Sequence, residues 1–328
     1  MHPARLASIA LPFVLPLIQP FCLPAAQAQG YPVKPVKVIV PYGPGSATDF
    51  VARTLTDELR IALGQPFVTE YKPGGDAVIG TLAVMQSPPD GYTLLLGTNG
   101  SHAANAYLKK DLPYDPVKDF AAISYLVSFS SVVAVNPALP IATVKDLITY
   151  AKAHPGKTSY AYGNTIGRVT FNHLFKVGGV KDTIGVPYKS NPLAVTDVMA
   201  GVADMTLVDL ATGRAVLGAG KLKPVAGARL KRSSVMPDVP AISETPGFEG
   251  FDIRSWVGLF GPAATPRPVV ELLNATIRKS LGRPEVQKRF QTVAAELEPG
   301  SVDEFQAHVR QQVDVWRQRL RDAGIEPE

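Results

Sequence analysis

Val36-Lys-Val-Ile-Val-Pro-Tyr-Gly-Pro-Gly-Ser-Ala-Thr-Asp49 decides how this chain is read. Val36 to Val40 is β-branched at all positions but Lys37 and forms a strand. A Pro/Gly loop over 41–45 follows. From Asp49 to Leu63 the apolar residues Val51, Leu55 and Leu59 recur at helical spacing. In α/β sheets, ligands sit beyond the carboxyl ends of strands, where loops run into helices. The unbonded N–H groups at such a helix start attract anions.

The alternation continues outward. Phe67–Tyr71 and Tyr92–Leu96 are strands, separated by a helix around Ile79–Gln86 and the Pro88-Pro-Asp-Gly91 turn. It restarts with a helix at Asp146–Ala153. Strands at Thr158–Tyr162, Thr183–Pro187, Met205–Val208 and Val225–Ala228 follow, with helices through His173 and Leu193–Met199 between the first ones. Strands alternating with helices imply parallel sheets covered on both faces, and two such runs imply two lobes. Ile123–Val135, β-prone and free of Gly and Pro, is long enough to leave one lobe and enter the other; Phe251–Phe260 runs back. The expected architecture is α/β, two doubly wound sheets joined by two crossover strands in a hinged clamshell. Lobe 1 takes 29–128 and 254–328, and lobe 2 takes 129–253.

Composition agrees. The chain has 328 residues, 46% hydrophobic and 19% charged, enough for a large core and too apolar for disorder. Net charge is +5, and the basic residues do not gather into a nucleic-acid-binding stripe. The mild positive field favours small anions. Residues 1–28 have an export signal's layout: Arg5, an apolar run interrupted by prolines, and Ala26-Gln-Ala28 for cleavage. The only cysteine, Cys22, falls inside it, so the mature chain has no disulfide or thiolate ligand. Export without cysteine places the protein in a bacterial periplasm.

Four loops are candidate ligand contacts. The first offers Tyr42, Gly45, Ser46 and Thr48, although Ser46 or Thr48 also suits a helix cap. The second offers Thr98, Asn99 and Ser101, and the third Asn164, Thr165 and Gly167. Asp209 ends a strand, where it either accepts hydrogen bonds from a ligand hydroxyl, amine or water, or caps a helix. Arg168 is read as a solvated surface position. No nucleophile elbow, phosphate loop or metal-binding histidine pair occurs. Ser101 and His102 are adjacent in sequence and are not expected to pair, so no catalytic residue, metal or cofactor is assigned.

The runs Tyr31 to Gly45 with Asp49, Ala52 and Arg53, then Val186-Pro-Tyr-Lys189, Met199 to Met205, Gly220 to Lys223, Met236 to Pro240, Ser255 to Gly258 and Pro262 to Pro266 resemble the Bug-type solute receptors of tripartite tricarboxylate transporters. The resemblance spans the mature chain in order. It implies a periplasmic receptor with the type II binding-protein fold. Such a receptor captures a small carboxylated organic anion (a di- or tricarboxylate, aromatic acid or acidic amino acid) and delivers it to a membrane permease. It also implies that Tyr42, Gly45, Ser46 and Thr48 grip one end of the ligand. Asn164, Thr165 and Gly167 meet it from the other lobe, Thr98, Asn99 and Ser101 line the floor, and Asp209 closes the far side. Ser46 and Ser190 stand where the family usually has glycine. The rival expectations are a ligand-presenting subunit for a membrane sensor kinase and a clamshell hydrolase. A monomer is the expected state.

Overall fold

The structure, a computed structural model, describes residues 30–233 and 235–328. The export signal read in residues 1–28 lies outside the described residues.

Strand β1 (Val36–Val40) leads through the Pro/Gly loop into the helix Ala47–Leu63, whose start is fixed by Ser46: its Oγ accepts from the Asp49 amide at 3.2 Å. The cap begins the helix two residues earlier than the apolar spacing alone indicates. Strands β2 (Phe67–Tyr71) and β3 (Thr93–Thr98) lie on either side of β1 and parallel to it. Strand β4 (Phe120–Phe129) passes almost without interruption into β5 (Ser131–Val135), and every residue from Ala122 to Val135 is buried. The run is free of charge because it crosses from one core to the other. Its single break is Ser130, whose carbonyl accepts from the Leu210 amide at 3.0 Å.

The second sheet collects β6 (Ser159–Tyr162), β7 (Ile184–Pro187), β8 (Met205–Asp209) and β9 (Lys223–Gly227) around β5, in the order β7-β6-β8-β5-β9. The chain then returns through an irregular stretch to β10 (Ser255–Pro262), and β11 (Ala295–Leu297) completes a first sheet ordered β11-β4-β10-β3-β1-β2. The return crossing is shorter than Phe251–Phe260 implies, since pairing begins only at Ser255.

The sheets are mixed, not parallel throughout. Strands β5 and β10 enter their sheets from the opposite lobe, so each starts at the cleft and runs antiparallel to both of its neighbours. The strands built from local βα units keep parallel pairing. Direction follows from where the chain arrives, and the carboxyl ends of β1, β3, β6 and β8 all face the cleft.

The sequence reading assigns everything after residue 254 to the first lobe. The last helix, Val302–Asp322, instead spans both. Phe305 and Val309 pack with Trp256 and Phe260 beside the first sheet, whereas Trp316, Leu320 and Ala323 pack with Val169, Phe171 and Phe248 of the second. Gly258 admits the Phe305 ring, because a Cβ there would lie 2.2 Å from it. Glu328 follows the helix and bridges Lys109 at 2.7 Å and Arg168 at 3.0 Å, so Arg168 is engaged in an ion pair and is not a freely solvated position.

Trp316 is fully buried in the second lobe's core on a helix anchored in the first. Trp316→Ala is expected to cost about 3–5 kcal/mol of unfolding free energy, read by urea denaturation. A loss below about 1 kcal/mol, the scale of a surface substitution, would show that this helix does not hold the lobes together.

Candidate functional site

Six chain segments bring their strand ends to one inner cavity of about 30 Å³ between the lobes. Tyr42, Ser46, Thr48, Thr98, Asn99, Asn164, Thr165 and Asp209 line it, as the sequence reading places them. Gly45, Ser101 and Gly167 do not. Gly45, at φ 78°, turns the loop and donates its amide to Asp49 Oδ2 at 2.8 Å. Gly167 donates to the cap oxygen of Asn164 at 2.9 Å and backs onto Tyr162. Ser101 is sealed beneath the floor with no exposed surface.

Capping leaves hydrogen-bond donors free at these same residues. Ser46 Oγ accepts from the helix, which leaves its hydroxyl proton to be donated elsewhere. Asn164 Oδ1 caps the helix Thr165–Val177, which leaves its Nδ2 donors. The amides of Ala47 and Thr48, and of Thr165 and Ile166, occupy the first two positions of their helices. They find no hydrogen-bond partner among the described residues. Asp49 turns away from the cavity toward Arg53, Tyr71 and the Gly45 amide. Burial raises its carboxyl, but those hydrogen bonds outweigh burial and hold it below its ordinary value.

The sequence reading did not single out Ala47, Gly163, Ile166, Ser190, Asn191, Ser255 and Val257, which also line the cavity. Asn191 is the pin of the second lobe. Its Oδ1 accepts from the Gly163 amide at 3.0 Å, and its Nδ2 donates to Asp209 at 2.7 Å. Gly163 must be glycine, since a Cβ would lie 2.1 Å from the Ser190 carbonyl carbon. Ser190-Asn191-Pro192 did carry a legible signal: serine followed by proline opens a helix, here Asn191–Met199. Ser255 and Val257 carry none, because they reach the cleft only through the return crossing.

Asp209 does not cap the helix that follows it. Its carboxylate accepts from Ser131 Oγ at 2.8 Å and from Asn191 Nδ2, and among the described residues it is the only carboxylate in the cavity wall. Burial pushes its carboxyl above the ordinary value, against the pull of those two hydrogen bonds. A buried carboxylate without a cation raises the energy of the site and attracts N–H and O–H donors.

Ser101 and His102 are paired after all, contrary to the sequence expectation: Oγ lies 2.9 Å from Nδ1. The pair does not open on the cleft. Ser101 Oγ also holds the Thr98 amide at 3.0 Å, and His102 stacks on Phe260 at 3.7 Å. His102 Nε2 has no partner among the described residues, so no third group orients the ring. Burial pulls the imidazole down to about 3, which keeps it neutral near pH 7.

Residues 51–325 match the family model described as tripartite tricarboxylate transporter family receptor. The fold also matches solved structures, three of which follow. Rhodopseudomonas palustris Rpa4515 with adipate is 30% identical with a TM-score of 0.87, over 91% of this chain and all of that one. The periplasmic binding protein BugD is 31% identical with a TM-score of 0.85, over 91% of this chain and all of that one. MatC from R. palustris with bound malate is 28% identical with a TM-score of 0.84, over 88% of this chain and all of that one.

Because folding raises the Asp209 pKa, the stability that this group contributes is present at low pH and is lost as pH rises through the folded value. Asp209→Asn is therefore expected to raise the melting temperature at pH 7 and to lose that gain toward pH 4, as followed by circular dichroism. An equal loss of stability at both pH values would contradict this assignment.

Proposed function

We propose that this chain, which belongs to the family of tripartite tricarboxylate transporter receptors, is a periplasmic solute-binding protein. It captures a small carboxylated organic anion between its lobes and delivers it to a permease of the tripartite tricarboxylate type. The observation that carries the reading is the convergence of helix starts from both lobes on a cavity whose wall, among the described residues, has no basic side chain. The carboxylate is held by the amides of Ala47, Thr48, Thr165 and Ile166 and by the hydroxyls of Ser46, Thr48 and Thr165. Each helix start contributes about 0.3–1 kcal/mol, rising to about 2 where partly buried. Several together in a dry cleft give useful affinity. Support comes from the adipate and malate bound by two relatives of the same fold, and the periplasmic setting from the relative described as a periplasmic binding protein.

Asp209 orients the ligand within the cavity. Its charge repels a bare carboxylate, so the anionic end lies toward Ser46 and Thr165, and a hydroxyl, amine or water faces Asp209. Closure follows from bridging: a ligand that touches both helix starts favours the closed state by its differential affinity for it. The reading assigns no reaction, and the sealed Ser101–His102 pair serves as support for the floor.

The test is a thermal-shift screen with carboxylates, followed by calorimetric titration of the best one. A ligand at a hundredfold excess over Kd stabilises by about 2.7 kcal/mol. Ser46→Ala and Asn164→Ala are expected to weaken binding at least tenfold, beyond the cap loss of about 1 kcal/mol that each shows without ligand. A shift with neutral or cationic solutes and none with any carboxylate would overturn the reading.

A further inference from the structure

The inner cavity is too small for the ligand class proposed above. About 30 Å³ is a small fraction of the roughly 300–1,000 Å³ of a small-molecule site, room for one end of the ligand only. A second chamber of about 360 Å³ adjoins it and shares the walls Tyr42, Gly163, Asn164 and Thr165. That volume falls within the range of small-molecule sites. Whatever is anchored by its carboxylate at the helix starts has to continue into this chamber.

The chamber has a charge pattern of its own. One lobe contributes the Gly74–Ala77 loop and the other contributes Pro187–Lys189. Asp76 is already neutralised by Lys109 at 3.0 Å, and its carbonyl accepts from Asn105 Nδ2 at 2.9 Å. Asp76 and Ala77 stand at φ 54° and 74°, a left-handed conformation unusual for residues with a Cβ. Across from it, Tyr188 fixes the opposing loop by donating its hydroxyl to Asp197 at 2.5 Å. Lys189 is exposed and has no ion-pair or hydrogen-bond partner among the described residues. Among the described residues it is the one lining cation, and the one lining acid, Asp76, is already paired.

We propose that this outer chamber is the second subsite of the cleft and that Lys189 receives the distal anionic group of an elongated dicarboxylate whose first carboxylate sits at the helix starts. The inference rests on the carboxylate-receptor reading and adds to it a length and a second charge. Lys189 reads the far end as a mobile point charge, so it tolerates a range of chain lengths. It also makes the preference sensitive to salt.

The experiment is calorimetric titration of the purified protein with straight-chain dicarboxylates from four to nine carbons and with the monocarboxylates of equal length. It is repeated on Lys189→Gln and on Lys181→Gln, an exposed lysine elsewhere on the second lobe. The expected result is at least a tenfold preference for the longer dicarboxylates over their monocarboxylate partners. That preference shrinks in 0.5 M salt and falls to within twofold in Lys189→Gln. Lys181→Gln and the monocarboxylate affinities stay unchanged. Equal binding of mono- and dicarboxylates, or a preference that survives Lys189→Gln, would overturn the outer subsite and leave the receptor reading in place. Binding of no carboxylate by the unaltered protein would overturn both.

Discussion

The amides of Ala47, Thr48, Thr165 and Ile166 have no carbonyl to bond, because an α-helix cannot satisfy the N–H groups of its own first turn. In most proteins water or a side chain takes them. Here the buried crossing through Ser130 turns the strand ends of two sheets toward each other, so that both helix starts open on one cavity. The rest of the site is built to keep those donors in place. Asp49 ties down the first loop through Gly45 and Arg53, and Asn191 ties the third loop to Asp209. Gly163 lets two backbone segments touch where a methyl group would separate them.

The proposed grip holds an anion without a cation. Donors supplied by the backbone and by hydroxyls are neutral, so the empty site pays no charge-burial cost for them. The exception is Asp209, whose buried charge opposes an anion nearby and favours a donor. The cavity therefore has a polarity along its length, with amide and hydroxyl donors on one side and a carboxylate acceptor on the other. Such a site discriminates by hydrogen-bond pattern and shape. The two lobes share this cavity, and they also share the last helix, which places Phe305 in one core and Trp316 in the other.

The local parts of this design were legible in sequence. Val36–Val40, the Pro/Gly loop and the apolar spacing after Asp49 are signals carried by neighbouring residues, and so is the cap Ser46, whereas Asn164 was read only as a ligand contact and proves to cap its helix as well. What depended on the chain path was not legible. The antiparallel direction of β5 and β10 follows from arrival through the cleft, which no local pattern records. Trp316 sits on an amphipathic helix that reads the same whether one lobe or two lie beneath it. Ser101 and His102 paired because a tight helical turn beneath the floor brought them together, and adjacency in sequence does not specify side-chain direction. Asn191 joined the site through hydrogen bonds to residues 28 and 18 positions away, beyond any motif.

The most direct test of a two-lobed anion grip is to follow backbone amides by ¹⁵N–¹H nuclear magnetic resonance during titration with the carboxylate that gives the largest thermal shift. The account predicts that Ala47 and Thr48 of one lobe and Thr165 and Ile166 of the other shift together and saturate along a single binding curve. Shifts confined to one lobe, or binding that leaves all four amides unmoved, would contradict it.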